Sequence, residues 1–258
     1  MEDADADRAT DFFEALDIAG APRELVALGG TLDVPTIHAA YRAGCFPWPA
    51  AGPHEASLER DARRLVRRRE VPLVPGTDRK ALLMPWISPH PRPVLLPDQV
   101  QVNRSLRKRL RHCGWETTMD QAFDAVIAAC AERELTWITP GMHAAYRALH
   151  HAGVAHSLEV WSGDDLVGGL YGIQTGRIFT GESMFHRIPD ASKAAVVDLC
   201  RRCVEAGIVL IDTEDESDHM ARLGQVLLHR SDYLDLLRHF RDEPVDLPND
   251  RRQVNRLV

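Results

Sequence analysis

VWSGDDLVGGLYGIQTGRIFTGESMF, residues 160–185, and IVLIDTEDE, residues 208–216, decide the fold between them. The first stretch reads as short strands joined by tight turns. Strands are expected at His156–Trp161, Leu166–Gln174 and Arg177–Ser183, with Gly163-Asp164 and Thr175-Gly176 at the turns. A helix at Ser192–Ala206 closes on Gly207, and a last strand, Ile208–Glu214, ends in carboxylates. Three strands, a helix and a further strand therefore follow one another in this order.

Glycine weakens a strand and marks places where something approaches the backbone closely. Gly168, Gly169, Gly172, Gly176 and Gly181 therefore suggest a floor open to a ligand, with plain sheet twisting as the competing explanation. Glu182 lies between a glycine and a serine inside an otherwise apolar strand. A charge there needs a partner or a task; a salt bridge to Arg187 or Lys193 would be the structural one. In a strand, alternate side chains share a face, so Asp212 and Glu214 should point one way over Leu210, and Val209 and Ile211 the other.

Outward from this stretch the chain is ordinary in bulk. Its 258 residues are 45% hydrophobic and 27% charged, as in globular proteins generally. No apolar run approaches the ~20 residues of a membrane span, and the acidic start does not resemble a signal peptide, so a cytoplasmic protein is expected. Five scattered cysteines argue against a disulfide framework. Cys200 and Cys203 have the CxxC spacing but no second pair at zinc-site distance, and read as packed side chains. The acidic run from Asp212 lacks the glycine of a calcium loop, and neither a Walker loop nor a Gly-x-Ser-x-Gly elbow is present. No metal or cofactor is called for.

A net charge of −7 excludes a surface that coats nucleic acid throughout, yet arginines crowd two segments. Arg60, Arg63, Arg64, Arg67, Arg68 and Arg69 form one cluster, and Arg104, Arg107, Lys108, Arg109 and Arg111 the other. Either could be a solvated helix face; two on an acidic protein favour a local phosphate-binding surface. Helices are expected at residues 35–43 with Gly44 as the cap, at Asn103–His112, Asp120–Glu132, Thr139–His151 and Ser231–Phe240, while residues 50–80 read either as partly disordered or as holding a basic helix near Leu58–Arg69. The proline-rich MPWISPHPRPVLLP should be extended and irregular, and the tail from Asp242 loosely held. The expected division is a small N-terminal α/β domain, residues 1–92, with an Arg-rich insertion at about 50–80, and a larger domain, residues 93–258.

Six segments resemble, in order, the bacterial leucyl/phenylalanyl-tRNA–protein transferase family: LVALGGTL, AYRAGCFPW, WISPHPRPVL, TWITPGMHAAYRALHHAGVAHSLEVW, LVGGLYGIQTGRIFTGESMFHRIPDASK and LIDTEDESDHMARLG. The resemblance implies an α+β protein whose C-terminal domain has a GNAT-like fold: a mixed, mainly antiparallel sheet flanked by helices. It implies transfer of an apolar amino acid from aminoacyl-tRNA to the N-terminal amine of a protein or peptide beginning with Arg or Lys, marking it for degradation. The protein would act as a monomer without a cofactor. By resemblance Asp212, Glu182 and Glu214 are catalytic. Leu170, Phe179, Gly181, Met184, Leu199, Cys203 and Ile211 line the side-chain pocket. Trp48 and Trp137 hold the terminal adenosine, and Arg104, Arg107, Lys108, Arg109 and Arg111 meet the acceptor stem. The family usually has Gln where this chain has Glu214, which implies added negative charge and leaves room for a different acceptor. Transfer to another peptide or a small-molecule amine is one alternative; acyl-CoA-dependent acetylation is the other, disfavoured because SMFHRIPDAS is poor in glycine.

Overall fold

The computed structural model describes residues 2–49, 55–78, 84–133 and 136–258. In chain order the first elements are α1 (Glu2–Ala15), β1 (Leu25–Leu28), α2 (Val34–Ala43), β2 (Phe46–Pro47), α3 (Glu55–Arg67) and β3 (Pro85–Ile87). There follow β4 (Arg92–Leu95), α4 (Arg104–His112), β5 (Glu116–Met119), α5 (Phe123–Ala131), α6 (Pro140–His151), β6 (Ala155–Ser162), β7 (Asp165–Thr175) and β8 (Ile178–His186). The chain finishes with α7 (Ala191–Ala206), β9 (Leu210–Asp212), α8 (Asp218–Ala221), β10 (Val226–Leu228), α9 (Arg230–Phe240) and β11 (Arg252–Gln253).

Local chemistry accounts for most helix ends. Asn103 and Thr139 cap α4 and α6 by accepting from the backbone N–H groups of Leu106 (2.9 Å) and Met142 (3.2 Å). Gly44 and Gly207 end α2 and α7 in left-handed conformation (φ 97° and 84°), where a Cβ would be strained.

The strands form a three-stranded sheet, β1-β3-β2, and an eight-stranded sheet in the order β10-β4-β9-β8-β7-β6-β5-β11. Every pair is antiparallel except β8 with β9. This is the α+β class with a mixed, mainly antiparallel sheet that the sequence led us to expect. Alternation along β7 and β8 sends side chains to two cores. Leu158, Leu170, Phe179 and Ile211 pack with α7 on one face. Tyr171, Ile173, Ile178 and Leu210 pack on the other with Phe123, Tyr146, Tyr41 and Phe46, so the N-terminal elements share a core with the large sheet.

Several expectations need correction. The second hairpin turns at Gly176-Arg177, one residue later than expected. Helix α5 begins at Phe123, because residues 116–119 are taken by β5. The proline-rich segment is extended but ordered: β3 and β4 belong to different sheets, and Pro93 lies in an interior strand. It is tolerated there because its carbonyl still accepts, from the N–H of Thr213 at 3.0 Å. The tail is not loose: β11 pairs with β5, and Val254 and Leu257 are buried. The basic helix of the Arg-rich segment is α3; residues 50–54 and 79–80 of that segment lie outside the described residues.

The glycines divide. A Cβ on Gly168 would come within 2.6 Å of the Ala191 side chain, and one on Gly169 within 2.6 Å of the Leu158 carbonyl oxygen. On Gly172 and Gly176 the nearest backbone oxygen would stand at 2.1 Å. These four serve close packing. Only Gly181 is open, with the Asp212 carbonyl at 3.7 Å as its sole neighbour.

Candidate active site

The parallel pairing of β8 and β9 stops at Thr180 opposite Asp212. Beyond that pair β8 continues to His186 beside β7 alone, while the chain after Asp212 turns away. A cleft of about 260 Å³ opens in this gap. That is slightly below the ~300–1,000 Å³ of ordinary small-molecule sites, a size suited to one side chain and its ester. Leu170, Gly181, Met184, Val196, Leu199 and Ile211 make its apolar wall, and Trp48 and Trp137 stand at its edge. Glu182, Thr213, Glu214 and Asp215 supply its polar side.

Glu182 reaches the cleft through a β-bulge. Tyr171 of β7 pairs with Ser183 and Gly172 with Gly181, so Glu182 is the extra residue on β8. A bulge re-aims the side chain it carries. Among the described residues the carboxylate pairs with no arginine or lysine: Arg187 pairs with Glu132 and Lys193 with Asp190. Its partners are phenols. Tyr146 donates to Oε2 at 2.7 Å, Tyr41 makes a short bond to Oε1, and the two hydroxyls lie 2.7 Å apart.

The three groups thus form a closed triangle of oxygen contacts. Burial pushes the Glu182 carboxyl up to about 7; the two phenol hydrogen bonds oppose that rise, and the charge of Asp212 adds to it.

Asp212 is wholly buried and does not line the cleft. Arg92 Nε donates to both of its oxygens at 3.0 Å, and Nη2 makes a short ion pair with Oδ2. Tyr233 donates to Oδ2 at 2.9 Å, and the Glu214 N–H to Oδ1 at 3.0 Å. Arg92 lies over the rings of Phe46 and Tyr233, at 5.0 and 4.4 Å from their centroids, and donates to the Gly44 carbonyl at 3.3 Å.

Glu214 lies beyond β9 in left-handed conformation (φ 59°), so its side chain is aimed by the turn and not by strand alternation. It is buried, and its Oε1 has no hydrogen-bond partner among the described residues. Burial first, then the charges of Glu182 and Asp212, push its carboxyl well above the usual range.

Phe179 and Cys203 are fully buried behind the wall and do not line the cleft. Cys200 and Cys203 are free and buried. Trp48 and Trp137 stack with centroids 6.2 Å apart and planes 17° from parallel; Trp48 remains 41% exposed. Arg104, Arg107, Lys108, Arg109 and Arg111 are all exposed on α4, whose Leu106 and Leu110 face the core. Arg109 lies 3.9 Å from Asp190. Sequence reasoning missed Val196, Met220, Thr213, Asp215 and Ser217 in the cleft lining. It also missed Tyr41, Tyr146, Arg92 and Tyr233 as carboxylate partners; AYRAG and AYRAL give no local hint that two tyrosines so far apart converge.

An apolar slot at the parting of a parallel strand pair, with a buried carboxyl on its wall, marks the class: an α+β protein with a small-molecule-sized candidate active site. Residues 94–238 match the leucyl/phenylalanyl-tRNA protein transferase family, and the chain belongs to that family. It is 44% identical over 87% of its length to the leucyl/phenylalanyl-tRNA–protein transferase of Chromohalobacter salexigens, covering 78% of that protein. The protein of the same name from Pseudomonas aeruginosa is 42% identical over 91% of this chain and 94% of its own. That of Methylococcus capsulatus is 42% identical over 87% and 85%.

Proposed function

We propose that this chain moves leucine, phenylalanine or a similar apolar residue from aminoacyl-tRNA to the N-terminal amine of a protein. Arg or Lys would be the accepting residue, and the product would be marked for degradation. We place the enzyme in the cytoplasm as a monomer; no described helix is long and apolar enough to cross a membrane.

The observation that carries this reading is Glu182, set by a bulge on the wall of an apolar slot and hydrogen-bonded by two phenols. The donor side chain enters between Leu170, Leu199 and Ile211, and the terminal adenosine rests against Trp48 and Trp137. The aminoacyl ester is already activated, so no phosphate-consuming step is required. The incoming α-amine titrates near ~7.7–8.0 and arrives largely charged. Acidic Glu182 and Asp215 attract it; it gives its first proton to water, and ionised Glu182 takes the second from the neutral amine as nitrogen attacks the ester carbonyl. The ester C–O bond then breaks and the 3′ hydroxyl leaves with the proton.

Asp212 acts as a positioning residue: fixed by Arg92 and Tyr233, it holds the Glu214 N–H and so the turn. Glu214, as neutral acid, donates a hydrogen bond much as an amide would, so replacing glutamine need not add charge to the cleft.

Mixing the protein with leucyl-tRNA and an Arg-starting peptide, then weighing the peptide, tests the reading. Growth by one leucine is expected. No growth with leucyl-, phenylalanyl- or methionyl-tRNA would overturn it.

A further inference from the structure

A second cavity, of about 490 Å³, lies against the outer end of β8 and joins the acyl cleft, sharing Arg133, Met184 and Ser217 with it. The chemistry described above makes no use of it. Its lining carries two arginines, Arg133 and Arg187, two histidines, His186 and His219, and two hydroxyls, Ser192 and Ser217, beside Ala129, Met184 and Phe185. Among the described residues Glu132 is its one carboxylate, held 3.7 Å from Arg187 with both side chains more than half exposed (66% and 55%), a pairing too wet to neutralise the arginine firmly. His219 is half-buried, and its Nε2, shielded from solvent, has no hydrogen-bond partner among the described residues.

The cavity also lies on a path. At one end Arg133 donates to the Met184 carbonyl at 2.6 Å and borders the cleft beside Trp137. At the other, Ser192 adjoins Lys193, which pairs with Asp190 at 2.7 Å; Asp190 in turn stands 3.9 Å from Arg109 of α4. Among the described residues, basic side chains thus run from the tryptophan pair towards the exposed arginines of α4, with Glu132 and Asp190 paired to them.

We propose that this cavity holds the phosphodiester backbone of the donor's single-stranded 3′ end, within the two nucleotides that precede the terminal adenosine. The inference rests on the reading that the adenosine lies at Trp48 and Trp137. A chain leaving that position for α4 must cross the rim of the cleft, and this cavity is the cationic opening there. Arg187 and Arg133 meet phosphate oxygens, His219 Nε2 donates or accepts once a polar ligand enters, and the Ser192 and Ser217 hydroxyls serve the sugar or phosphate.

The test uses three ligands in which leucine is joined to the 3′ position by a stable amide: adenosine, the dinucleotide CA and the trinucleotide CCA. Binding to wild type, Arg187→Gln and His219→Gln is measured by titration calorimetry at several salt concentrations. In wild type, affinity should rise with each nucleotide. Arg187→Gln, at an exposed position, should leave leucyl-adenosine binding intact, weaken the trinucleotide roughly tenfold, and flatten its log–log salt slope by ~0.7. His219→Gln should weaken the longer ligands alone. A trinucleotide that binds no better than leucyl-adenosine would overturn the proposal and leave the proposed function standing. So would equal losses on all three ligands. Coenzyme A displacing the trinucleotide would reassign the cavity to a different phosphate ester. If leucyl-adenosine itself fails to bind, the reading of the cleft falls, and this inference with it.

Discussion

Arg92 grips Asp212 beneath the cleft floor, its Nε 3.0 Å from each carboxylate oxygen, with both side chains sealed from solvent. The two residues stand 120 positions apart and tie the strand after the cis His90-Pro91 bond to the turn that carries Glu214. Breaking a buried pair leaves one charge uncompensated, at a cost of ~3–5 kcal/mol. Arg92→Met should therefore destabilise the protein by that order in urea unfolding. Arg92→Met with Asp212→Leu should recover much of the stability without recovering transfer, because the Glu214 turn stays unanchored. Equal recovery of both would show that the pair serves stability alone.

Removing a phenol that stabilises the Glu182 carboxylate must raise its pKa further above about 7. Tyr146→Phe should shift the rising limb of the kcat/KM–pH profile upward by ~1–2 units, from a charged hydrogen bond of ~1.5–3 kcal/mol and 1.36 kcal/mol per unit. A limb that stays in place would separate Glu182 from the titration.

A carboxyl whose folded-state pKa is raised stabilises the fold below its unfolded pKa, and that contribution is lost as pH climbs towards the folded value. Glu214 is such a group. Glu214→Gln should thus match wild type in melting temperature near pH 4 and exceed it at pH 8, while keeping transfer activity within a few-fold. Thermal scans across pH check the first part; a gap that shrinks with rising pH would contradict it.

Leu199 is buried at 2% exposure on the cleft wall. Leu199→Ala should cost ~2–5 kcal/mol of stability and shift the donor preference from leucine towards phenylalanine by ~1–3 kcal/mol in kcat/KM. Competition between the two charged tRNAs measures the ratio.

What the sequence disclosed was what short-range chemistry dictates. Asn103, Thr139, Gly163 and Gly207 announce their caps and turns because each acts on its own neighbours. The apolar faces of β7 and β8 follow from period-two alternation. Other features depended on partners far along the chain. The bulge at Glu182 exists only in register with β7, and Pro93 hid an interior strand because proline is rare there. Five clustered glycines suggested an open floor, yet four are filled by Ala191, Leu158, Thr180 and Phe240. Glu214 left the strand face because β9 ends at Asp212.

Glu182→Gln keeps the size of the side chain and removes the proton acceptor. Single-turnover transfer from saturating leucyl-tRNA to an Arg-starting peptide, measured beside tRNA affinity, is the most direct measurement. The variant should bind leucyl-tRNA as wild type does and transfer at least ~100-fold more slowly, the usual worth of a positioned base. Transfer within a few-fold of wild type at unchanged affinity would mean that Glu182 does not take the proton.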